Sequence, residues 1–241
     1  MEKEFKLHAQ IEPFDTFWEA PKDIEKGYAS FHKFYKRNYL RYLPKNKEVR
    51  ILVVSCGPGY FVNFIQEEGY TDILGIDSNP EKVRCAKERG LKCECQNVWN
   101  FLGKNENVYN LIFAEQEINH LTKNEITLFL RLCRGNLSEN GLLIVHSLNG
   151  ANPITGSEAL AQNFDHYNTF TEYSLKQIFR YTGFRDIKVI PLHLYIFYEN
   201  PLNCLGALMD KLCNLFFRMF FVFYGKSNKL FSKKIAAIGY K

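Results

Sequence analysis

The chain has 241 residues, 46% of them hydrophobic, which suits one α/β domain with a sizeable core and additions. Its net charge of +5 permits phosphate-bearing partners, but no lysine or arginine tract of the kind that grips nucleic acid stands out. Seven cysteines with no repeated CxxC pair argue against a zinc ribbon, and their odd number, with a start (MEKEFKLHAQ) that has no apolar leader, points to the reducing cytoplasm.

Residues 11–44 are aromatic and basic. From 26 to 43 the rings of Tyr28, Phe31, Tyr35 and Tyr39 recur at spacings of three and four, predicting a helix that Pro44 ends. Lys33, Lys36, Arg37 and Arg41 would form its solvated face. Two readings are open for residues 1–49: a helix packed on a sheet, or a helical lid whose inner aromatics line a ligand pocket.

Residues 50–77 read as strand, glycine turn, helix, strand and acid. Ile51-Leu52-Val53-Val54 suits a strand buried on both faces. In Ser55-Cys56-Gly57-Pro58-Gly59 the two glycines permit a sharp turn and close ligand approach, and Pro58 suits the first turn of a helix. Ile73-Leu74-Gly75-Ile76 is a second buried strand ending in Asp77, where a carboxylate can accept from ribose hydroxyls. A dinucleotide site would want a third glycine where Val62 stands, which weakens the pyrophosphate reading.

Further strands are expected at 91–95, 108–114, 142–145, 186–192 and 234–239, with helices at 80–90, 123–137 and after Thr171. Residues 147–170 are polar and irregular, as functional loops are. Between the last two strands, residues 205–224 carry an apolar stripe (Leu205, Leu208, Leu212, Leu215, Met219, Phe223) interrupted by Asp210, Lys211 and Arg218. The charges make a bilayer span uncomfortable. Packing within the domain, a homodimer interface, a roof over a ligand pocket and a membrane-surface helix all fit this segment.

The glycine turn and the Gly75-Ile76-Asp77-Ser78 continuation resemble the first motifs of class I S-adenosylmethionine-dependent methyltransferases. The resemblance covers roughly residues 50–190. It implies a Rossmann-like, mostly parallel seven-stranded sheet of order 3-2-1-4-5-7-6, with helices on both faces and an N-terminal lid. The expected organisation is a single domain: lid 1–49, core 50–192, hydrophobic helical insertion 193–231 and last strand 232–241. S-adenosylmethionine would lie on Ser55, Cys56, Gly57, Gly59, Asp77, Ser78 and Ala114, with Asn97 and Val98 at the adenine. Asn97 stands where the family usually has Asp, and its side-chain oxygen can still accept from an amino group. Val53, Ser55 and Asn110 also depart from commonly acidic or glycine positions.

The stretch 115–121 resembles a family segment ending in His-Leu, and 165–184 resembles the D-x-x-H-x-x-x-F-T-x-x-S-L…G-F pattern of methyltransferases from bacterial surface-polysaccharide gene clusters. The acid/base candidates are therefore His120 and His166, the latter beside Asp165, each competing with a purely structural role. Tyr28, Tyr35, Asn149 and Tyr167 are the candidate acceptor contacts. No cluster implies a metal. The expected reaction is methyl transfer to an oxygen or nitrogen of a small polar acceptor, a sugar or phosphorylated precursor of capsule or lipopolysaccharide, leaving S-adenosylhomocysteine. Alternatives are N-methylation of an aminoalkyl phosphate or other small amine, a nucleic-acid methyltransferase, for which no basic domain or face is evident, and a non-catalytic relative.

Overall fold

The computed structural model describes residues 21–104, 108–115, 117–161, 166–192 and 202–241. Helix α1 (Pro21–Tyr39) is followed by a 3-10 turn at Leu40–Tyr42. The predicted helix thus starts earlier than residue 26 and tightens before Pro44. β1 (Ile51–Val54) is apolar and wholly buried, and α2 (Tyr60–Glu67) follows it. Next come β2 (Ile73–Asp77), α3 (Pro80–Glu88), β3 (Cys93–Cys95), α4 (Val98–Lys104) and β4 (Tyr109–Glu115). The second half holds α5 (Lys123–Asn136), β5 (Leu137–Leu148), α6 (Thr155–Ala161), α7 (Glu172–Tyr181), β6 (Arg185–Leu192), α8 (Leu202–Phe223) and β7 (Lys234–Tyr240). Segments 1–20, 162–165 and 193–201, with Phe14, Phe17, Trp18, Asn163 and Asp165, lie outside the described residues.

Local chemistry explains many of the boundaries. The Asn79 side chain accepts from the Glu81 and Lys82 amides and starts α3, with Pro80 at its first position. Thr122 and Glu125 form a reciprocal capping box on α5, and Thr171 with Ser174 does the same on α7. Asn140 takes a left-handed conformation (φ 61°), and the β4–β5 register shifts there, so β5 runs further than residues 142–145. Pro58 lies outside α2, which begins after Gly59 rather than at the proline.

The strands form one sheet in the order β3-β2-β1-β4-β5-β7-β6. β1 to β5 are parallel neighbours, and β7 runs antiparallel to both β5 and β6. One face carries Val53, Phe113, Ile144 and Ala236 beneath α1, α2 and α3. The other carries Val54, Ile112, Val145 and Ala237 beneath α4, α5 and α7.

α1 is a wall of the core. Tyr35 and Tyr39 are fully enclosed, Tyr39 meets Phe113 edge-on at 5.2 Å, and Phe61 stacks on Phe113 at 3.5 Å. Lys33, Lys36, Arg37 and Arg41 face solvent, and Lys36 reaches Glu68 of α2 at 2.9 Å. The hydrophobic helix α8 sits between β6 and β7.

Candidate active site

In a parallel sheet of this kind, ligands sit beyond the carboxyl ends of the strands, and the turn after β1 is the first structure met there. Ser55 (φ 51°) and Gly57 (φ 53°) are both left-handed. The Cys56 amide donates to the Ile76 carbonyl at 3.0 Å, and the Gly57 amide donates to Asp77 Oδ2 at 2.8 Å. Asp77 Oδ1 accepts from the Asn79 amide at 2.8 Å. The carboxylate is therefore fixed by backbone donors on both oxygens before any ligand arrives.

The two glycines of the turn do different things. A Cβ on Gly57 would meet nothing within 4 Å, so open space adjoins the backbone there. A Cβ on Gly59 would lie 2.7 Å from Leu91 Cδ1 and 3.2 Å from the Ala86 Cβ. Gly59 is thus held to glycine by the packing of α3 and residue 91. Gly75 similarly leaves room for the sulfurs of Cys93 and Cys56, at 2.8 and 2.9 Å from a built Cβ. Ser78 is exposed beside this turn, and Ala114 is buried at the end of β4.

Asn97 is exposed, and its Oδ1 accepts from the Asn100 amide at 3.1 Å, as a helix-start cap does. Val98 is packed into the core with Leu102. Asn110, at the opposite end of β4, accepts from the Arg50 amide and donates to Ser138 Oγ, stitching β1 to β5.

His120 and His166 come together, their ring centroids 4.7 Å apart. The clamp that joins them was not foreseen from the sequence. The carbonyl of Asn119 accepts from the amides of Tyr167 and Asn168. The Asn119 side chain donates to the Asn168 carbonyl at 2.7 Å, and Asn168 Nδ2 reaches the Leu121 carbonyl. His166 Nδ1 lies 2.6 Å from the Ala159 carbonyl, so a neutral ring carries its proton on Nδ1 and its lone pair on Nε2.

The expected acceptor contacts fare differently. The Tyr28 hydroxyl donates to the Pro58 carbonyl, tying α1 to the glycine turn. Asn149 is buried, with its amide donating to the Leu230 and Ser232 carbonyls and its oxygen accepting from Ala151, so its polar atoms anchor the approach to β7. Tyr167 is exposed.

Tyr35 leads to a group that sequence reading missed. Its hydroxyl donates to Glu115 Oε2 at 2.5 Å, while His146 Nδ1 lies 3.1 Å from Oε1. Glu115 and His146 are register partners at the ends of β4 and β5, and Lys234 opens β7 on the same face. The Glu115 side chain keeps 19% exposure, whereas His146 is fully enclosed. Burial pushes the Glu115 carboxyl up, but the His146 ring, the Lys234 charge and the Tyr35 hydroxyl outweigh it and hold it below its ordinary value. Burial lowers His146 against the pull of Glu115, and likewise lowers Lys234. The signal available in the sequence was only the position of Glu115 at a strand end.

A depressed folded pKa favours the deprotonated form, so stability is present above the ordinary value and is lost as pH falls through the folded one. For His146 that window opens at 6.5 and runs downward, and for Glu115 it opens at 4.5. The melting temperature should fall on acidification from about pH 7 to about pH 5, and His146→Leu should flatten that fall. Thermal scans across this range check it, and equal slopes in both proteins would refute the assignment.

The sequence profile of a family described as "Methyltransferase domain" matches residues 28–189. The chain belongs to this methyltransferase family. No curated protein sequence matches it. Solved structures share the methyltransferase's fold. A SAM-dependent methyltransferase from Archaeoglobus fulgidus superposes with a TM-score of 0.65 at 18% identity, over 89% of this chain and 94% of that one. The plantazolicin methyltransferase BpumL, in complex with a monoazolic desmethylPZN analog and SAH, gives 0.61 at 18% identity, over 99% and 96%. Phosphoethanolamine N-methyltransferase 2 of Haemonchus contortus, in complex with S-adenosyl-L-methionine, gives 0.58 at 15% identity, over 90% and 57%. Family and fold together assign S-adenosylmethionine as the methyl donor. The open approach at Gly57 and the braced carboxylate of Asp77 fit such a donor.

Proposed function

We propose that the methyltransferase transfers the donor methyl group to an oxygen or nitrogen of a small polar acceptor. The observation that carries this reading is the Glu115 carboxylate, braced by Tyr35 at the end of β4. In register, Ala114 pairs with Val54, so Glu115 stands beside the start of the turn at 55–57. A carboxylate there accepts a hydrogen bond from a hydroxyl or a neutral amine of the acceptor and so orients its lone pair toward the donor.

Asp77 receives the donor's ribose hydroxyls, and the backbone at Gly57 admits its approach. Ser55, Cys56, Ser78, Asn97, Val98 and Ala114 complete the proposed donor side. When bound, the donor supplies a sulfonium-activated methyl group for in-line displacement. The chain's residues then align the reactants, exclude water and hold the leaving proton. For a hydroxyl acceptor, His166 Nε2 or the adjoining His120 takes that proton. Tyr28, Tyr35 and Tyr167 belong to the acceptor side through the elements they sit on, and Asn149 supports it from beneath.

The resemblance of residues 165–184 supports a sugar or phosphorylated precursor of capsule or lipopolysaccharide as acceptor. A second reading, N-methylation of an aminoalkyl phosphate or other small amine, is favoured by the Glu115 carboxylate, which can accept a hydrogen bond from a neutral amine nitrogen and leave its lone pair to attack.

Calorimetry with S-adenosylmethionine tests the donor half. Asp77→Ala should weaken binding by roughly 100-fold, on the order of two charge-assisted hydrogen bonds. Unchanged affinity would overturn the ribose assignment. Mass spectrometry on a panel of nucleotide sugars and aminoalkyl phosphates tests the acceptor half through the gain of one methylene. Absence of methylation across the panel would remove both acceptor classes. Full turnover in both His120→Ala and His166→Ala would remove the general-base role of the pair.

A further inference from the structure

Helix α8 is inside out. Surface helices of globular domains turn their apolar stripe to the core and their charges to water. Here Leu205, Leu208, Leu212, Phe216, Met219 and Phe223, spaced by three and four, are 52 to 85% exposed. The opposite side, with Asp210, Cys213, Asn214, Phe217 and Phe221, is the half-buried one. It rests on the body through Phe231, with ring centroids 4.6 Å from Phe221 and 6.2 Å from Phe217. The helix therefore has a seat on the domain and a second, larger apolar face turned to solvent.

The charges near that face have one sign. Lys211 and Arg218, two turns apart, flank the exposed stripe, and Lys226, Lys229 and Lys233 follow it, all exposed. Asp210 is the single acidic residue from 202 to 233, and it is on the seated side. Long cationic side chains beside an apolar stripe bury their stems in an interface and keep their heads at its polar boundary. Two copies of this chain joined through α8 would bring the same cations together with no acidic residues to meet them. An anionic lipid surface supplies both the apolar layer and the opposite charge.

The location agrees with this. Leu192 pairs with Lys234, so the β6–β7 connection that carries α8 leaves the sheet at the end where β4 and β5 present Glu115 and His146. Asn149 and Asn152 bind the carbonyls of residues 230–232, and Tyr173 binds the Ser227 carbonyl, fixing the base of the connection to the domain. Among the described residues no helix is long and apolar enough to cross a membrane.

We propose that α8 lies in the plane of an anionic lipid surface, its stripe from Leu205 to Phe223 in the acyl boundary and Lys211, Arg218, Lys226, Lys229 and Lys233 at the headgroups. The proposal stands on the exposure and charge of α8, independent of which acceptor is methylated. It sets the carboxyl end of the sheet on the membrane side.

Sedimentation of the full chain with vesicles tests it. Vesicles of equal parts phosphatidylcholine and phosphatidylglycerol should carry the protein down, and phosphatidylcholine alone should do so at least ~10-fold less well. Leu212→Ser/Phe216→Ser/Phe223→Ser should lose about 10-fold or more of the anionic-vesicle binding while keeping its melting temperature and its calorimetric affinity for S-adenosylmethionine. Lys226→Glu/Lys229→Glu, which spares the stripe, should lose the preference for anionic vesicles. Absence of binding to either vesicle would overturn the proposal, as would binding unchanged in the triple-serine variant. A dimer in light scattering that the triple-serine variant dissolves, with no vesicle binding, would assign the face to a second copy.

Discussion

Glu115→Gln should slow turnover by roughly 10²–10³-fold while leaving donor affinity within about twofold. The amide keeps the shape of the side chain and its contacts with the Tyr35 hydroxyl and the His146 ring, but it removes the charge. The proposed donor contacts, Asp77 and Gly57, lie on the other side of the turn and should be spared. Steady-state kinetics with the acceptor found by mass spectrometry, beside calorimetry with the donor, separate the two effects. Unchanged turnover would show that the carboxylate is a packing group. Glu115→Leu is the harsher change. It removes the opposite charge from Lys234 as well as the Tyr35 and His146 contacts, and should lower the melting temperature further than Glu115→Gln does.

Gly59→Val should be the most destabilising substitution in the glycine turn. Its φ of 86° belongs to the left-handed region, which costs a non-glycine residue roughly 1–2 kcal/mol. The new side chain also meets Leu91 and Ala86, both buried and unable to retreat into solvent. Overpacking of that kind costs about 1–3 kcal/mol more. The melting temperature should therefore fall by roughly 5–15 °C. Gly57→Ala, two residues earlier, makes the opposite split. Its Cβ meets no atom within 4 Å, so the fold bears only the left-handed strain, while the added methyl enters the open space through which the donor is proposed to approach. Calorimetry should show weakened donor binding in a protein whose melting temperature falls less than that of Gly59→Val. Equal melting temperatures for Gly59→Val and wild type would refute the packing role.

Much of the framework was legible because its causes are local. β1 and β2 were readable as short apolar runs broken by glycine, and Asp77 as the acid at the end of the second. The start of α7 was readable from Thr171, whose side chain bonds its own helix, and the structure adds Asn79 and Thr122 as the caps of α3 and α5. Pro58 misled, because a proline permitted in a first turn is equally at home in the turn before it. Residues 147–170 read as irregular throughout, yet residues 155–161 form α6.

The candidate site is where local reading ran out. Tyr35, Glu115, His146 and Lys234 come from α1, β4, β5 and β7, and nothing in their flanking residues announces the others. His146 sits at the end of an apolar strand run, and only the parallel register with β4 sets it opposite Glu115. The nearness of His120 to His166 depends on Asn119 and Asn168, which bridge segments far apart in the chain.

For this protein, then, the amino-acid order by itself determined the strands, the glycine turn, the acid that faces it and the stripe of residues 205–223. These follow from period, capping and backbone freedom within a few residues. Only the tertiary structure decided which polar groups meet at the end of the sheet, and which way that stripe faces. Periodicity shows that a helix has an apolar side, but the sense of that side is set by its partner. The rings of Phe217 and Phe221, seated on Phe231, hold one side of α8 and leave the wider stripe outward.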